Sequence, residues 1–138
     1  LGGKYETFSG KAVYSISFEV PSKLNSSAIG FLLDLGVVRE TAKVKINGKE
    51  LGLNWCLPNQ IVVPEGVIQE KNIIEIEVAN LSFNRVIQLD RDGGNWKNYH
   101  EINFVNIRYQ PYDASDKKPE DSGLISNVYL IPFVIKKL

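Results

Sequence analysis

The stretch Phe31-Leu-Leu-Asp-Leu-Gly36-Val-Val-Arg-Glu-Thr-Ala-Lys-Val-Lys-Ile46-Asn-Gly48-Lys-Glu-Leu-Gly-Leu-Asn-Trp55 decides how this chain folds. At its centre is Asn47-Gly48, with Ala42, Val44 and Ile46 before it and Leu51 and Leu53 after it. These apolar residues alternate with Lys43, Lys45 and the Lys49-Glu50 pair, which predicts half-buried strands. Asn-Gly between two such runs predicts a hairpin, because a type I′ turn needs φ > 0 at both central residues. Trp55 then stands just beyond the second strand.

Moving outward, Ala12, Tyr14, Ile16, Phe18 and Val20 alternate with Val13, Ser15, Ser17 and Glu19, a strand ended by Pro21. Residues 1–9 read as a leader and Ser22 to Ser27 as a polar loop. Gly30 to Leu35 is a short strand buried on both faces. On the other side, Ile61 and Val63 lead into the turn at Pro64-Glu-Gly66, Val67 to Lys71 reads as one helical turn, and Ile74, Ile76 and Val78 mark another strand. Arg85 to Leu89 and Ile102 to Tyr109 read as further strands, and Leu124 to Ile135 closes the chain. No segment carries a 3.6-residue apolar stripe long enough for a full helix. Many short strands separated by Gly, Pro and Asn predict an all-β antiparallel sandwich of jelly-roll type, one domain over residues 1–138.

The totals restrict the function. The chain has 138 residues, 43% hydrophobic and 23% charged, as ordinary globular domains do. Sixteen basic residues balance sixteen acidic ones, so no net field favours nucleic acid or an anionic membrane. No apolar run approaches the roughly 20 residues that span a bilayer. The absence of any Met, the first residue included, suggests a piece of a longer protein. The single cysteine, Cys56, excludes an internal disulfide and a thiolate-only metal site.

Several ordered motifs resemble the galactose-binding-like, sugar-binding domains of large bacterial glycoside hydrolases. They are Phe8-Ser9-Gly10-Lys11-Ala12-Val13-Tyr14, Leu33-Asp34-Leu35-Gly36-Val37-Val38, Ala42-Lys43-Val44-Lys45-Ile46-Asn47-Gly48 and Leu51-Gly52-Leu53-Asn54-Trp55-Cys56-Leu57-Pro58. The series continues through Asn72-Ile73-Ile74-Glu75-Ile76-Glu77-Val78-Ala79-Asn80-Leu81 and Asn84-Arg85-Val86-Ile87 to Ser122-Gly123-Leu124-Ile125-Ser126-Asn127-Val128. Order and spacing are most like the C-terminal domain of family 106 α-L-rhamnosidases and, more loosely, the jelly-roll domain of family 2 β-galactosidases. The sequence departs from those domains at Gln88-Leu89-Asp90, where they read Gly-Asp, and at Ser126, where they read Gly. The resemblance implies a non-catalytic carbohydrate-binding or accessory domain beside the catalytic domain of a parent glycosidase. It also implies a secreted, extracellular or periplasmic bacterial enzyme, and it allows a structural calcium ion. A purely structural or protein-interaction sandwich without sugar affinity is the alternative.

Trp55 and Trp96 are the first candidates for ligand contact, since the apolar face of a pyranose stacks on an indole. The bland alternative packs Trp55 across the sandwich mouth against Pro58. Asn84, Arg85, Asp90, Arg91, Asp92, Tyr99 and His100 form the densest polar cluster in the sequence. Arg and Asp can each make paired hydrogen bonds to neighbouring hydroxyls; a structural ion pair is the competing role for Arg85. The expected ligand-binding set is therefore Trp55, Asn84, Arg85, Asp90, Trp96 and His100. Asp90-Arg-Asp92-Gly93-Gly94-Asn95 resembles part of an oxygen-rich calcium loop but lacks its full spacing. Catalysis by this chain alone is not expected: glycoside hydrolysis needs two carboxylates across a cleft. Cys56, between Trp55 and Leu57, reads as a buried hydrophobe rather than a nucleophile.

Overall fold

The computed structural model describes residues 5–97 and 107–133. It divides into two compact units, Gly10–Asn80 with Asp121–Leu138, and Leu1–Ser9 with Leu81–Glu120. The larger unit is an antiparallel β-sandwich. One sheet holds β1 (Lys11–Glu19), β7 (Lys71–Ala79), β4 (Thr41–Ile46) and β5 (Lys49–Asn54), in that order. A second holds β6 (Gln60–Val63), β2 (Gly30–Asp34) and β9 (Tyr129–Phe133), and β3 (Val38–Arg39) pairs with β8 (Gly123–Leu124).

The hairpin forms as its sequence predicts. Asn47 and Gly48 have φ of 53° and 78°, the positive values that a type I′ turn requires. Ala42, Val44 and Ile46 are fully buried and meet Ile74, Ile76 and Val78 of β7 and Phe31 and Leu33 of β2 in one core cluster. The second strand does not keep the simple alternation. The pairing shifts between Val44 and Lys45, so Val44 faces Gly52 while Lys45 faces Glu50. Gly52, at φ 146°, takes a backbone conformation that L residues rarely adopt. Leu51 still packs against the core, but Leu53 turns outward, 60% exposed, and Asn54 turns inward.

Other local expectations need correction. Ser22–Ser27 is a short helix, α1, rather than a loop, and Glu65 to Glu70 is turn and coil with Val67 and Ile68 buried, not a helical turn. Arg85 to Leu89 is not a strand: it lies inside the nine-residue helix α2 (Phe83–Arg91) of the smaller unit. The buried residues of that helix are Asn84 and Ile87. Phe83, Val86 and Ile87 fall at i, i+3 and i+4 and form an apolar stripe, but over nine residues, with one of the two buried positions polar, it is too short to stand out from a strand in the sequence. Ile107 to Tyr109 is turn and bend. Ile102 to Asn106, with Tyr99 and His100, lies outside the described residues.

The bulge separates two aliphatic residues of the hairpin energetically. Ile46→Ala removes fully buried methyl groups and should cost about 2–5 kcal/mol. Leu53→Ala, on the outward side of the bulge, should cost under about 1 kcal/mol. Urea denaturation of the two variants measures the contrast.

Candidate functional site

In the smaller unit, α2 organises the polar cluster. The helix ends at Gly93, whose φ of 67° places it in the left-handed region, and the Gly93 N–H donates to the Asp90 carbonyl at 3.1 Å. Two side chains of the helix, buried Asn84 and exposed Arg91, then bind backbone. Asn84 donates to the Glu120 carbonyl and accepts from the Glu120 N–H, both at 2.9 Å. The Arg91 guanidinium donates to the carbonyls of Ser115 at 3.2 Å and Lys117 at 2.9 Å.

Asp90 is the hub. Its Oδ2 accepts from the Ala114 N–H at 2.8 Å, and its Oδ1 accepts from Trp96 Nε1 at 2.7 Å and faces Lys97 Nζ at 2.9 Å. Lys97 also donates to the Tyr112 carbonyl at 2.6 Å and stands 5.5 Å from the centre of the Trp96 ring. The Asp90 side chain is 4% exposed. Burial pushes its pKa up, but the hydrogen bonds from Ala114, Lys97 and Trp96, with the charge of Lys97, outweigh that and hold it below the usual aspartate value. This donor set does not fit a calcium ion: the carboxylate oxygens face N–H donors, and an ammonium stands where a cation would. Among the described residues, no group of three or more His, Cys, Asp or Glu is gathered.

A different cleft forms at one loop end of the sandwich, about 420 Å³ in volume, between β3 and the loop that joins β5 to β6. Its walls include Val37, Arg39, Glu40, Trp55, Leu57 and Asn59. The bulge in β5 sends Asn54 inward, and Asn54 Nδ2 donates to the carbonyls of Cys56 and Pro58, both at 3.2 Å. That folds the loop over its own anchor and leaves Trp55 outside, 71% exposed. Asn59 bridges to the facing wall: its Nδ2 donates to the Gly36 carbonyl and its carbonyl accepts from the Leu35 N–H, both at 2.8 Å. Asp34 accepts from Gln60 at 2.9 Å and from the Gly36 N–H at 2.8 Å, and these bonds lower its pKa. The Val37 N–H donates to Ser126 Oγ at 2.7 Å, and the Ile125 N–H donates to the Val37 carbonyl at 2.9 Å. Ser126, a departure from the resembled pattern, thus ties down the Gly36–Val37 wall.

The structure separates the residues that sequence reading grouped. Trp55 is solvent-facing at a cleft, not packed across the sandwich mouth. Cys56 is exposed rather than buried, because its loop lies outside Asn54. Asn84, Asp90 and Trp96 direct their polar groups to partners within the smaller unit. Arg85 is exposed, with no hydrogen-bond or ion-pair partner among the described residues. His100 lies outside them. Arg39 and Glu40 were missed: β3 is two residues long and its partner, Gly123–Leu124, is more than 80 positions away, so no local pattern marks it.

No protein-family model matches the chain. Over 86 residues, 62% of its length, it is 42% identical to a protein of Formosa agariphila provisionally named a beta-glucuronidase, of which it covers 7%. It superposes over 91% of its length on the rhamnosidase of Novosphingobium sp. PP1Y, with a TM-score of 0.69 and 33% identity, and covers 11% of that chain. A beta-glucuronidase of Bifidobacterium dentium aligns with 51% of this chain and 11% of its own, at 25% identity and a TM-score of 0.45. The chain spans 7% of the curated relative and 11% of the solved rhamnosidase. Both are glycoside hydrolases by name.

Two predictions test this geometry. Asp90→Asn leaves Lys97 without its counter-charge and should destabilise the smaller unit by about 3 kcal/mol at neutral pH. Because the native pKa of Asp90 is lowered, its contribution is complete above the unfolded value of about 3.9 and is lost as pH falls through the native one. In wild type, Trp96 emission should shift to the red in that acid range, whereas the Asp90→Asn variant should show less pH dependence. The second prediction concerns Gly36, at φ 62°, where an added Cβ would run into Ser126 Oγ and lie 2.8 Å from the Asn127 carbonyl. Gly36→Ala should cost more than about 1 kcal/mol by urea denaturation.

Proposed function

We propose that this chain is a non-catalytic accessory domain of a glycoside hydrolase, of the kind found in α-L-rhamnosidases, with a role in carbohydrate recognition. The superposition on the rhamnosidase carries the reading: 33% identity runs across 91% of this chain yet only 11% of that one. A similarity so complete on one side and so partial on the other fits a module within a larger enzyme. The parent is read as a secreted or envelope-attached bacterial protein, with its catalytic domain as this domain's partner.

The distribution of carboxylates fits a non-catalytic role. The lining residues of the cleft include one carboxylate, Glu40, where glycoside hydrolysis requires a pair. Glu77 pairs with Lys11 at 2.9 Å on the outer side of the sheet, and Glu120 and Asp121 are exposed. The exposed indole of Trp55 at a concave loop end suits sugar stacking.

A structural role without sugar affinity has its own support. A second cavity of about 610 Å³ opens in the sandwich, lined by Tyr14, Phe18, Leu33, Ile76 and Leu130, and Ile16 beside it is 65% exposed. An apolar opening of this kind suits packing against another protein surface.

A glycan array probed with the purified chain tests the first reading against the second. Binding to rhamnose- or galactose-containing glycans, abolished by Trp55→Ala with the circular dichroism spectrum unchanged, is the expected result. Folded wild-type protein that binds no glycan would reject autonomous recognition and leave the structural role.

A further inference from the structure

We propose that the cleft between β3 and the β5–β6 loop is a binding site for a neutral pyranoside, in which Trp55 is the stacking platform and Arg39 and Glu40 hold the hydroxyls. The inference rests on the accessory-domain reading and adds to it the site, two unsuspected contact residues and the charge class of the ligand. Its volume of about 420 Å³ falls within the range of small-molecule sites. It combines one large aromatic face with a small number of polar groups, the composition of sites that bind by stacking and orient by hydrogen bonds.

Arg39 and Glu40 are adjacent, exposed and both on the cleft wall. Among the described residues, neither side chain has a hydrogen-bond or ion-pair partner; the Arg39 backbone is fixed by pairing with Gly123 and the Glu40 N–H by the Ala79 carbonyl at 3.0 Å. Their side chains offer donors from a guanidinium and acceptors from a carboxylate, and a sugar hydroxyl is both donor and acceptor. The pair carries no net charge. A uronate therefore gains less than it would beside an unopposed arginine: Arg39 attracts its carboxylate while Glu40 repels it. An uncharged ring with adjacent hydroxyls satisfies both side chains together, and its apolar face is left for the indole. The walls need little ordering on binding, because Asn54, Asn59, Asp34 and Ser126 already fix them.

The test is isothermal titration of the chain with methyl α-L-rhamnopyranoside, methyl β-D-galactopyranoside and methyl β-D-glucuronide, with tryptophan emission recorded in parallel. At least one neutral glycoside should bind, no more weakly than the glucuronide, and shift the emission of Trp55 to the blue. Arg39→Ala, Glu40→Gln and Trp55→Ala should each weaken binding by about tenfold or more, because each removes a stacking or charge-assisted contact. Trp55→Phe should keep most of the affinity and lose the emission shift. All three positions are exposed, so the four variants should fold, and circular dichroism checks that they do. Undiminished binding in the Arg39→Ala, Glu40→Gln and Trp55→Ala variants would overturn this site and leave the accessory-domain reading intact. Tighter binding of the glucuronide than of either neutral glycoside would overturn the neutral class. Failure of both neutral glycosides to bind would overturn the proposal, and a silent glycan array as well would remove autonomous recognition with it.

Discussion

The sandwich depends on how the Asn47 side chain holds the hairpin against the start of β7. Its Oδ1 accepts from the Ile73 N–H, and its Nδ2 donates to the Val67 carbonyl and to Asn72 Oδ1, all at 2.9 Å. Asn72, 2% exposed, is itself bonded to the backbone of Gln69. One residue therefore supplies the left-handed turn and fixes the register of β4 against β7. The register matters because a slip by one position would bring Lys43 and Lys45 to the core in place of Ala42, Val44 and Ile46. The half-buried amide of Asn47 and the buried amide of Asn72 are both satisfied, so this specificity carries no unpaired polar group.

The bulge in β5 converts that rigid hairpin into a surface with a ligand-sized opening. An unbroken alternation would have buried Leu53 and left Asn54 outside. The extra residue reverses the two, and the inward amide of Asn54 then folds the following loop so that Trp55 and Leu57 face solvent. A packing irregularity within one strand thus exposes an indole and shapes a cleft. Leaving an indole so exposed forgoes burial that a core position would gain.

The smaller unit shows the opposite use of similar residues. Asn, Asp, Trp and Arg are the usual furniture of sugar sites, and here Asn84, Asp90, Trp96 and Arg91 bind each other or nearby backbone. Residues 112–120 contain little regular structure, so their carbonyls and N–H groups need side-chain partners. The helix α2 supplies them. Polar residue type alone does not distinguish a ligand site from internal bracing, since both consist of satisfied hydrogen bonds.

The sequence by itself determined the strands whose pattern is local: the Asn47-Gly48 hairpin, the alternation of β1 and β7, the antiparallel sandwich they imply, and the position of Trp55 just after β5. Turn chemistry and period-two burial are properties of neighbouring residues, so they can be read without the fold. Only the tertiary structure decided what depended on distant partners. It turned Leu53 out and Cys56 to the surface, made a helix of Arg85 to Leu89 around a buried asparagine, and joined Asn84 to Glu120 and Val38–Arg39 to Gly123–Leu124. Those pairings are separated by tens of residues, and which polar group meets which depends on how the intervening chain closes. Arg39 and Glu40 became candidates for ligand contact only because folding set them across a cleft from Trp55.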